Sequence, residues 1–280
     1  MRNAVIFGAG QAGLMIKKLL QGEFKVIAFA DNNYLNLSDY LDDVPVVSPK
    51  LLKELNADKI IISILNNDAA VEIYEQLLHE EINENKILNI NEMREFFDIR
   101  LAAIRLVANE IIEKGVAGCI AELGVYKGYI AKELNILFRG RKLYLFDTFA
   151  GFHENDVEYE NELLRSNIKK GKFNDTSIEY VKSIMQYPEN IIFCKGYFPN
   201  TAKDIEEKFA FVSLDADLYL PTYEGLKFFY PRLSKGGCIL LHDYNSTQFR
   251  GVKKAVSDFA KDNEINIIPL CDLHGSAVIM

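Results

Sequence analysis

The stretch "GCIAELGVYKGYIAKEL", residues 118–134, decides the fold of this 280-residue chain. It begins as a short apolar run typical of a buried strand, turns at Gly124 and Gly128, and continues with apolar residues at helical spacing. A glycine turn between a strand and a helix is typical of a βαβ unit, in which the strands are parallel. The stretch therefore predicts an α/β domain whose ligands bind beyond the carboxyl ends of its strands.

The rest of the carboxyl-terminal half repeats this alternation. Six further apolar runs have the composition of strands: "KLYLFDTF", "NIIFCKGYF", "FAFVSLDADLY", "GGCILLHDY", "INIIPL" and "SAVIM". The last two form a close pair around a turn at residues 272–275. Together with the first strand, these runs predict one domain over residues 115–280, built on a seven-stranded sheet.

The first ninety residues have the same rhythm on a smaller scale. Four runs indicate strands ("NAVIFG", "FKVIAFAD", "KIIISIL", "NKILNI") and two indicate helices ("QAGLMIKKLLQ", "AAVEIYEQLLHEEI"). This pattern predicts a small Rossmann-like, parallel-sheet domain of the nucleotide-binding type over residues 1–90. Residues 91–114 carry apolar side chains at helical spacing without a breaker, which predicts one long connecting helix; an exposed apolar strip on it is one route to a homodimer.

Composition narrows the class of protein. The formal charge of −8 argues against nucleic acid or an anionic membrane as the partner, because both favour a basic surface. The amino terminus lacks the apolar core of a signal peptide and no run is as long as a membrane span, so we expect a soluble, cytoplasmic protein. Four cysteines without metal-ligand or disulfide spacing are expected to be reduced core thiols: Cys119, Cys194, Cys238 and Cys271.

The first glycine motif has the spacing G-x-G-x-x-G at Gly8, Gly10 and Gly13. It lies between a predicted strand and a predicted helix, and Asp31 follows at the end of the next strand. Such a turn lets a phosphate approach the helix amino terminus, while the acid binds ribose hydroxyls. The motif predicts a site for a nucleotide, a nucleotide sugar or NAD(P), with a structural or dimerising role as the alternative.

The second glycine motif has a different spacing, at Gly124 and Gly128. Glu122 lies within the end of the strand before it, and Asp147 ends the following strand. Acids at two neighbouring strand ends, with no full phosphate cradle, suit a nucleoside without phosphates, and S-adenosylmethionine is such a ligand. The alternative is a plain tight turn with a capped helix.

Polar side chains also follow two later strands. Asp215 and Asp217 follow the apolar run "FVSL", and His242 with Asp243 follows "CILL". Oxygen ligands with one imidazole suit Mg²⁺, Mn²⁺ or a similar divalent ion. A bound metal lowers the pKa of an alcohol, and a nearby carboxylate can take its proton. Asp215 is thus predicted as a ligand and Asp217 as a base, against the alternative of a turn cap and a solvated side chain.

At this point the sequence resembles the macrocin O-methyltransferase (TylF-like) family, metal-dependent enzymes that methylate sugar hydroxyls with S-adenosylmethionine. The resemblance runs through six blocks: "GCIAELGVYKGYIA", "GRKLYLFDTFAGF", "GKFNDTSIEYV", "CKGYFPNTA", "LDADLYLPTYEGLKFFYPRLSKGGCILLHDY" and "GVKKAVSDF". It implies a class I methyltransferase fold. It also implies these roles: metal ligands Asp215, His242 and Asp243; general base Asp217; cofactor contacts Glu122, Gly124, Gly128 and Asp147, with Gly196 and Tyr197 near the adenosine.

The chain departs from the family pattern at three positions. His242 stands where the family commonly has an aspartate, which bears on the identity of the metal; Tyr126 replaces an expected tryptophan, and His153 an expected proline. The polar segment 153–177 is predicted to be a mobile lid over the acceptor, or else a surface insertion.

The resemblance implies transfer of a methyl group to a hydroxyl of a sugar or glycosylated substrate, with magnesium as the expected metal. The amino-terminal segments "IFGAG", "FADNN" and "PVVSPKLLKEL" resemble a domain of bacterial polysaccharide-biosynthesis enzymes, so surface polysaccharide or natural-product biosynthesis is the expected context. Two alternatives are an NAD(P)-dependent sugar oxidoreductase and a noncatalytic nucleotide-binding protein.

Overall fold

The chain divides into two compact units in a computed structural model. The structure describes residues 1–20, 22–96, 98–164, 166–273 and 275–280, with backbone only for residues 94–96. The first unit is Met1–Ile99, joined by residues 271–273, and the second is Arg100–Leu270 with Gly275–Met280.

The first unit is a six-stranded α/β layer. Its elements are β1 (Arg2–Phe7), α1 (Gln11–Leu19), β2 (Phe24–Ala30), β3 (Tyr40–Leu41), β4 (Val44–Val47), β5 (Lys59–Ile62), α2 (Asn67–His79), β6 (Ile87–Asn89) and α3 (Ile90–Phe96). The strand order is β3-β4-β2-β1-β5-β6, and every pair is parallel except β3 with β4.

All four strands and both helices predicted for this unit are present. The sequence did not reveal the short pair β3 and β4, because "YL" and "VPVV" are too brief to show a period. The α/β class of the unit is therefore observed, while its assignment as a Rossmann-like, nucleotide-binding-type domain stays a prediction.

The predicted single helix over residues 91–114 is wrong. The structure has α3, which ends at Phe96, and a separate helix α4 (Ile99–Glu113); Asp98 between them is not helical and Phe97 lies outside the described residues. Aspartate is favoured immediately before a helix, where its side chain can accept from a free N–H, so the sequence starts a new helix here. Leu106 and Ile112 of α4 are exposed; a dimer through this helix stays a prediction.

The second unit contains the predicted seven-stranded sheet. After α4 its elements are β7 (Cys119–Leu123), α5 (Tyr129–Leu137), β8 (Leu143–Asp147), α6 (Glu154–Leu164), α7 (Ile178–Ser183), β9 (Ile191–Lys195), β10 (Phe209–Leu214), α8 (Tyr219–Phe229), β11 (Leu233–Leu241), α9 (Arg250–Phe259), β12 (Ile267–Pro269) and β13 (Ala277–Ile279).

The strand order of this sheet determines where a ligand can bind. It is β12-β13-β11-β10-β7-β8-β9, and β13 is antiparallel to both of its neighbours. From β7 the chain adds β8 and β9 on one side and then returns to place β10 on the other, so the order reverses between β7 and β10. In open α/β sheets ligands bind at such a switch point, beyond the carboxyl ends of the strands.

The two faces of this sheet are covered by separate apolar clusters. One contains α4 and α5 side chains such as Ile104 and Leu134, and the other contains α8 and α9 side chains such as Phe229 and Val256. Burial on both faces explains why five of the six residues of β10, "FAFVSL", are apolar and do not alternate with polar ones; Ser213 is the exception. The first charged side chain, Asp215, follows directly after the carboxyl end of the strand.

The predicted lid, residues 153–177, is partly anchored. Its first half forms α6, and three side chains of that helix are buried: Asp156, Val157 and Glu160. The Glu160 carboxylate accepts hydrogen bonds from the N–H groups of Tyr219 (2.9 Å) and Gly251 (3.1 Å), at the starts of α8 and α9. The sequence thus understated the packing of this segment, and its mobility stays a prediction.

Two predictions from composition can be compared with the structure. All four cysteines are free, as expected, but Cys238 alone is buried as a core thiol; Cys119 and Cys194 are partly buried and Cys271 is exposed. Among the described residues, no helix combines the length and the apolar character that a membrane crossing requires.

Replacing Glu160 with alanine should destabilise the second unit. Two buried N–H groups at helix amino termini would lose their acceptor, at a cost of roughly 2–4 kcal/mol in the free energy of unfolding. The midpoint of urea unfolding, followed by circular dichroism, measures this loss. Glu158→Ala, at an exposed position of the same helix, is the control; equal midpoints for the two variants would contradict the anchoring role of Glu160.

Candidate functional site

The glycine turn after β7 and the end of β10 are in direct backbone contact. The Asp215 N–H donates to the Leu123 carbonyl oxygen at 2.8 Å. Gly124 has a φ of +89°, and a Cβ there would lie 1.9 Å from the Asp215 carbonyl oxygen. Only glycine fits at this position. Its absence of a side chain places the predicted cofactor turn directly beside the predicted metal ligand.

The structure brings the three predicted metal ligands together. Asp215, His242 and Asp243 each offer one ligand atom, and these atoms lie within 4.8 Å of one another. His242 Nδ1 is 3.0 Å from Asp215 Oδ1 and 3.2 Å from Asp243 Oδ2. Two carboxylates and an imidazole can hold a divalent cation, and the nitrogen widens the choice from Mg²⁺ towards transition metals.

The charges in this cluster depend on one another. Burial alone would raise the pKa of Asp215, but the charges of His242 and Arg100 outweigh it and hold the pKa below its usual value. For His242, burial acts to lower the pKa, but the Asp215 carboxylate outweighs this effect and raises the pKa to about 10. The imidazole would have to lose this proton to act as a ligand.

Asp217 lies at the edge of the same cluster. Its backbone is left-handed, with a φ of +60°, and its side chain is hydrogen bonded to Asp243. Burial raises the pKa of Asp217 well above the usual value, and the charges of Asp215 and Asp243 raise it further. A raised pKa makes the carboxylate a stronger proton acceptor, but it also favours the protonated form, which donates the hydrogen bond to Asp243. Asp217 would have to lose that proton before it could accept one from a hydroxyl, and its role as the base stays a prediction.

Asp147, predicted as a ribose ligand, also has a structural role in the glycine turn. Its Oδ2 accepts from the N–H groups of Val125 (2.7 Å) and Tyr126 (2.8 Å), and its Oδ1 from that of Phe149 (2.7 Å). The carboxylate therefore shapes the glycine turn. Three of the roughly four acceptor sites of the carboxylate are used, and Oδ1 can still accept one further bond, so contact with a ribose remains compatible with this geometry.

The remaining predicted cofactor residues lie around this turn. Gly128 caps α5 with a φ of +76°, and the Gly196 N–H donates to the Asp147 carbonyl oxygen at 3.0 Å. The Tyr197 hydroxyl instead donates a hydrogen bond to Asp156 Oδ1 at 2.6 Å, which links the segment after β9 to α6. Glu122, at the end of β7, is 2% exposed.

Sequence reasoning missed Arg100, the second residue of α4. Its Nη2 is 3.1 Å from Asp215 Oδ2, although the two residues are 115 positions apart. One signal was present in the sequence. The helix dipole disfavours a cation in the first turn of a helix, so an arginine at this position indicates a role other than stabilising the helix.

The amino-terminal glycine motif has an analogous geometry. Asp31 Oδ2 accepts from the Ala9 N–H at 2.9 Å, and a Cβ at Gly13 would lie 2.2 Å from the Gly8 carbonyl oxygen. A Cβ at Gly10 would meet nothing within 4 Å. The local structure therefore requires glycine at Gly13, because of this close approach, and at Gly8, where φ is +114°, but not at Gly10. Binding of a nucleotide at this turn stays a prediction.

Replacing Asp147 with asparagine should weaken the binding of S-adenosylhomocysteine, the demethylated cofactor. The amide offers one oxygen where the carboxylate now accepts three N–H bonds, so the glycine turn loses charge-assisted bonds and affinity should fall roughly tenfold or more. Isothermal titration calorimetry measures the change.

The chain itself supplies a matched control for this experiment. Asp31→Asn alters the equivalent carboxylate of the first unit and should leave the affinity for S-adenosylhomocysteine unchanged. An unaltered affinity in Asp147→Asn, or an equal loss in both variants, would show that the second glycine turn is not the cofactor site.

Curated relatives of the chain are O-methyltransferases. It is 24% identical over 192 residues to 8-demethyl-8-(2,3-dimethoxy-alpha-L-rhamnosyl)-tetracenomycin-C 4'-O-methyltransferase of Streptomyces olivaceus, covering 64% of this chain and 71% of that protein. It is 27% identical over 160 residues to demethyldecarbamoylnovobiocin O-methyltransferase of Streptomyces niveus, covering 52% of this chain and 60% of that one.

A solved structure and two family models complete the comparison. The O-methyltransferase NovP superposes with a TM-score of 0.53 at 24% identity, over 64% of this chain and 78% of that chain, which shows a shared fold. The C2185-like amino-terminal model matches residues 1–88, and the macrocin-O-methyltransferase (TylF) model matches residues 96–279. The match to the macrocin-O-methyltransferase model argues against the alternative of a sugar oxidoreductase. The chain belongs to the macrocin O-methyltransferase (TylF) family and is an S-adenosylmethionine-dependent O-methyltransferase.

Proposed function

We propose that this enzyme is metal-dependent and methylates a hydroxyl group of a sugar or a glycosylated substrate. One observation carries the proposal: the three candidate metal ligands converge beside the glycine turn of the candidate cofactor site, through the backbone contact of Gly124 with Asp215. An acceptor hydroxyl at this cluster would be next to the methyl donor. Proximity of this kind supplies a large part of the rate in a transfer reaction.

The residues of the cluster suit the individual steps of this transfer. Asp215, His242 and Asp243 would hold a divalent cation, which when bound lowers the pKa of the acceptor hydroxyl. Asp217 takes the hydroxyl proton while the oxygen forms a bond to the methyl carbon. The bond between that carbon and sulfur breaks, and S-adenosylhomocysteine leaves as a neutral thioether.

A hollow on the second unit supports a phosphate-bearing sugar as acceptor. Its volume is about 770 Å³, and the described residues that line it include four cations and no carboxylate: Lys169, Lys170, Lys172 and Arg250. Its walls belong to the segments that follow β8 and β11, which leave the sheet at the carboxyl edge. Lys170 is paired with Glu154 at 2.6 Å, but the hollow still has a local excess of positive charge. In a chain with a net charge of −8, this excess favours an anionic substrate.

The biological context follows from the two parts of the chain taken together. The relative from Streptomyces olivaceus acts on a rhamnosyl-bearing compound by its name, and the first unit resembles a domain of polysaccharide-biosynthesis enzymes. We infer a role in surface-polysaccharide or natural-product biosynthesis, with a nucleotide sugar or other sugar phosphate as the acceptor. A nucleotide at Gly8, Gly10, Gly13 and Asp31 of the first unit would agree with this context.

Removing one metal ligand should abolish most of the activity without unfolding the protein. Asp215→Asn keeps the shape of the side chain and removes its charge, so methyl transfer from labelled S-adenosylmethionine should fall roughly 100-fold or more in kcat/KM. EDTA should have the same effect on the unaltered enzyme, and added Mg²⁺ or Mn²⁺ should reverse it. The acceptor panel comprises free sugars, sugar phosphates and nucleotide-diphosphate sugars.

The matched control for this substitution is Asp204→Asn, at an exposed position of the second unit. It should leave kcat/KM unchanged. Full activity of Asp215→Asn, or of the unaltered enzyme in EDTA, would refute metal dependence.

The role of Asp217 can be tested separately from metal binding. Asparagine accepts the left-handed backbone at this position, so Asp217→Asn should fold and bind S-adenosylhomocysteine and Mn²⁺ as before. Without the proton acceptor, kcat should fall by roughly 10²–10⁴. An unchanged kcat would assign the proton to another group.

A further inference from the structure

The hollow of the second unit contains two cations that no carboxylate neutralises directly. Unlike Lys170, which pairs with Glu154, Lys172 and Arg250 have no carboxylate at ion-pair distance within the described ranges of the chain. Both side chains line the hollow, one from the segment after β8 and the other from the first residue of α9. Two such charges in one concave site favour an anionic ligand.

Neutral groups hold the Lys172 ammonium in place. Its Nζ is 4.7 Å from the ring centroid of Phe173 and 5.0 Å from that of Phe249. The face of an aromatic ring attracts a cation but leaves its positive charge in place. The ring of Phe152 packs edge-on against both of these rings, at 5.3 and 6.4 Å. The ammonium is therefore positioned between the two walls of the hollow, and its charge remains available to a ligand.

The backbone of Lys172 and the side chain of Arg250 are also fixed. The Lys172 carbonyl oxygen accepts from the Phe152 N–H at 3.1 Å. Arg250 Nη2 donates to the Leu164 carbonyl oxygen at 3.1 Å. The charge of Arg250 also acts on the buried Glu160 carboxylate, whose oxygens accept two backbone N–H groups. A guanidinium has five N–H groups, so the bond to a carbonyl orients it and leaves donors for a ligand.

A tight turn connects the hollow to the candidate metal cluster. The Ser246 N–H donates to the Asp243 carbonyl oxygen at 3.0 Å, and the Ser246 hydroxyl oxygen accepts from the N–H groups of Gln248 (3.2 Å) and Phe249 (3.1 Å). Thr247, in the wall of the hollow, is four residues after Asp243, so their Cα atoms are at most about 14 Å apart. A sugar with a diphosphate ester has a length of this order.

We propose that the hollow binds the diphosphate group of a nucleoside diphosphate sugar, with Lys172 donating to one phosphate and Arg250 to the other. The inference rests on the proposed function and narrows its acceptor from sugar phosphates in general to this one class. The diphosphate of such a sugar carries one negative charge on each of two phosphorus centres, which matches two separate cations. Ammonium and guanidinium groups are both established phosphate ligands.

The size and the lining of the hollow agree with a nucleoside. A volume of about 770 Å³ lies in the range of pockets that bind whole small molecules, and is far more than an inorganic ion fills. Four of the lining residues have uncharged polar side chains: Ser166, Asn167, Thr247 and Gln248. They suit the hydroxyl and amide groups of a nucleoside better than the apolar chain of a polyprenyl diphosphate.

Calorimetry on the unaltered protein, in EDTA and without the methyl donor, tests the ligand class. The ligands are UDP, dTDP, GDP, inorganic diphosphate, inorganic phosphate and farnesyl diphosphate. At least one nucleoside diphosphate should bind roughly tenfold or more tightly than inorganic phosphate, and farnesyl diphosphate should bind no more tightly than inorganic diphosphate. Absence of binding by all three nucleoside diphosphates, or tightest binding of farnesyl diphosphate, would overturn the proposal.

Substitutions locate the bound nucleotide within the protein. Lys172→Met and Arg250→Met should each weaken the tightest nucleoside diphosphate roughly tenfold or more, whereas Lys172→Arg keeps the charge and should retain most of the affinity. Lys203→Met, the control, makes the same change in charge at an exposed position outside the hollow and should bind normally. A nucleotide bound at the glycine turn of the first unit would be unaffected by Lys172→Met, so an unchanged affinity in that variant would refute the assignment.

The outcome can be separated from that of the proposed function. The titrations require neither metal nor methyl transfer, so a failure of metal dependence does not affect them. Conversely, EDTA-sensitive methylation of free sugars, with no nucleoside diphosphate bound at the hollow, would leave the proposed function standing and overturn this inference alone.

Discussion

The close approach of Gly124 to the Asp215 carbonyl oxygen is the constraint on which the site depends. A Cβ at this position would lie 1.9 Å from that oxygen, so the ends of β7 and β10 can meet only because the turn has a glycine there. The strand order reverses between these two strands, which opens a crevice at their carboxyl ends. The contact places the candidate cofactor turn beside Asp215, the first of the three candidate metal ligands.

The two units use the same device to hold their glycine turns. In each, the acid at the end of the second strand accepts from the N–H that follows the first glycine: Asp31 from Ala9, and Asp147 from Val125. The N–H of the first glycine also donates a hydrogen bond to a carbonyl oxygen at the end of that strand: Gly8 to Ala30, and Gly124 to Phe146. A strand-end acid after a glycine turn is therefore explained in part by the turn itself, before any ribose is considered.

Much of the architecture could be predicted because it rests on local patterns. The apolar runs that contain β1, β2 and β5 through β13 can be recognised in the sequence, and the two glycine turns mark strand-to-helix transitions. The ligands Asp215, His242 and Asp243 follow two such runs directly, so parallel strands bring them to one edge of the sheet. The short strands β3 and β4 and the break at Asp98 escaped prediction, because each depends on only a few residues.

The contacts that escaped prediction are those between distant segments. Arg100 binds Asp215 across 115 positions, and Glu160 reaches the starts of α8 and α9 from a segment whose polar composition resembled a surface insertion. The residues next to Arg100 and Glu160 in the sequence do not indicate which group either side chain will contact. Both are charged side chains that become useful only when the sheet has placed a complementary group beside them.

The proposed function requires the methyl donor and the metal to bind side by side. Diffraction from crystals grown with S-adenosylhomocysteine and Mn²⁺, measured for anomalous scattering, shows whether they do. We expect S-adenosylhomocysteine at the Gly124 turn and an anomalous peak coordinated by Asp215, His242 and Asp243. Bound S-adenosylhomocysteine with no peak at these three side chains, under saturating Mn²⁺, would contradict this arrangement.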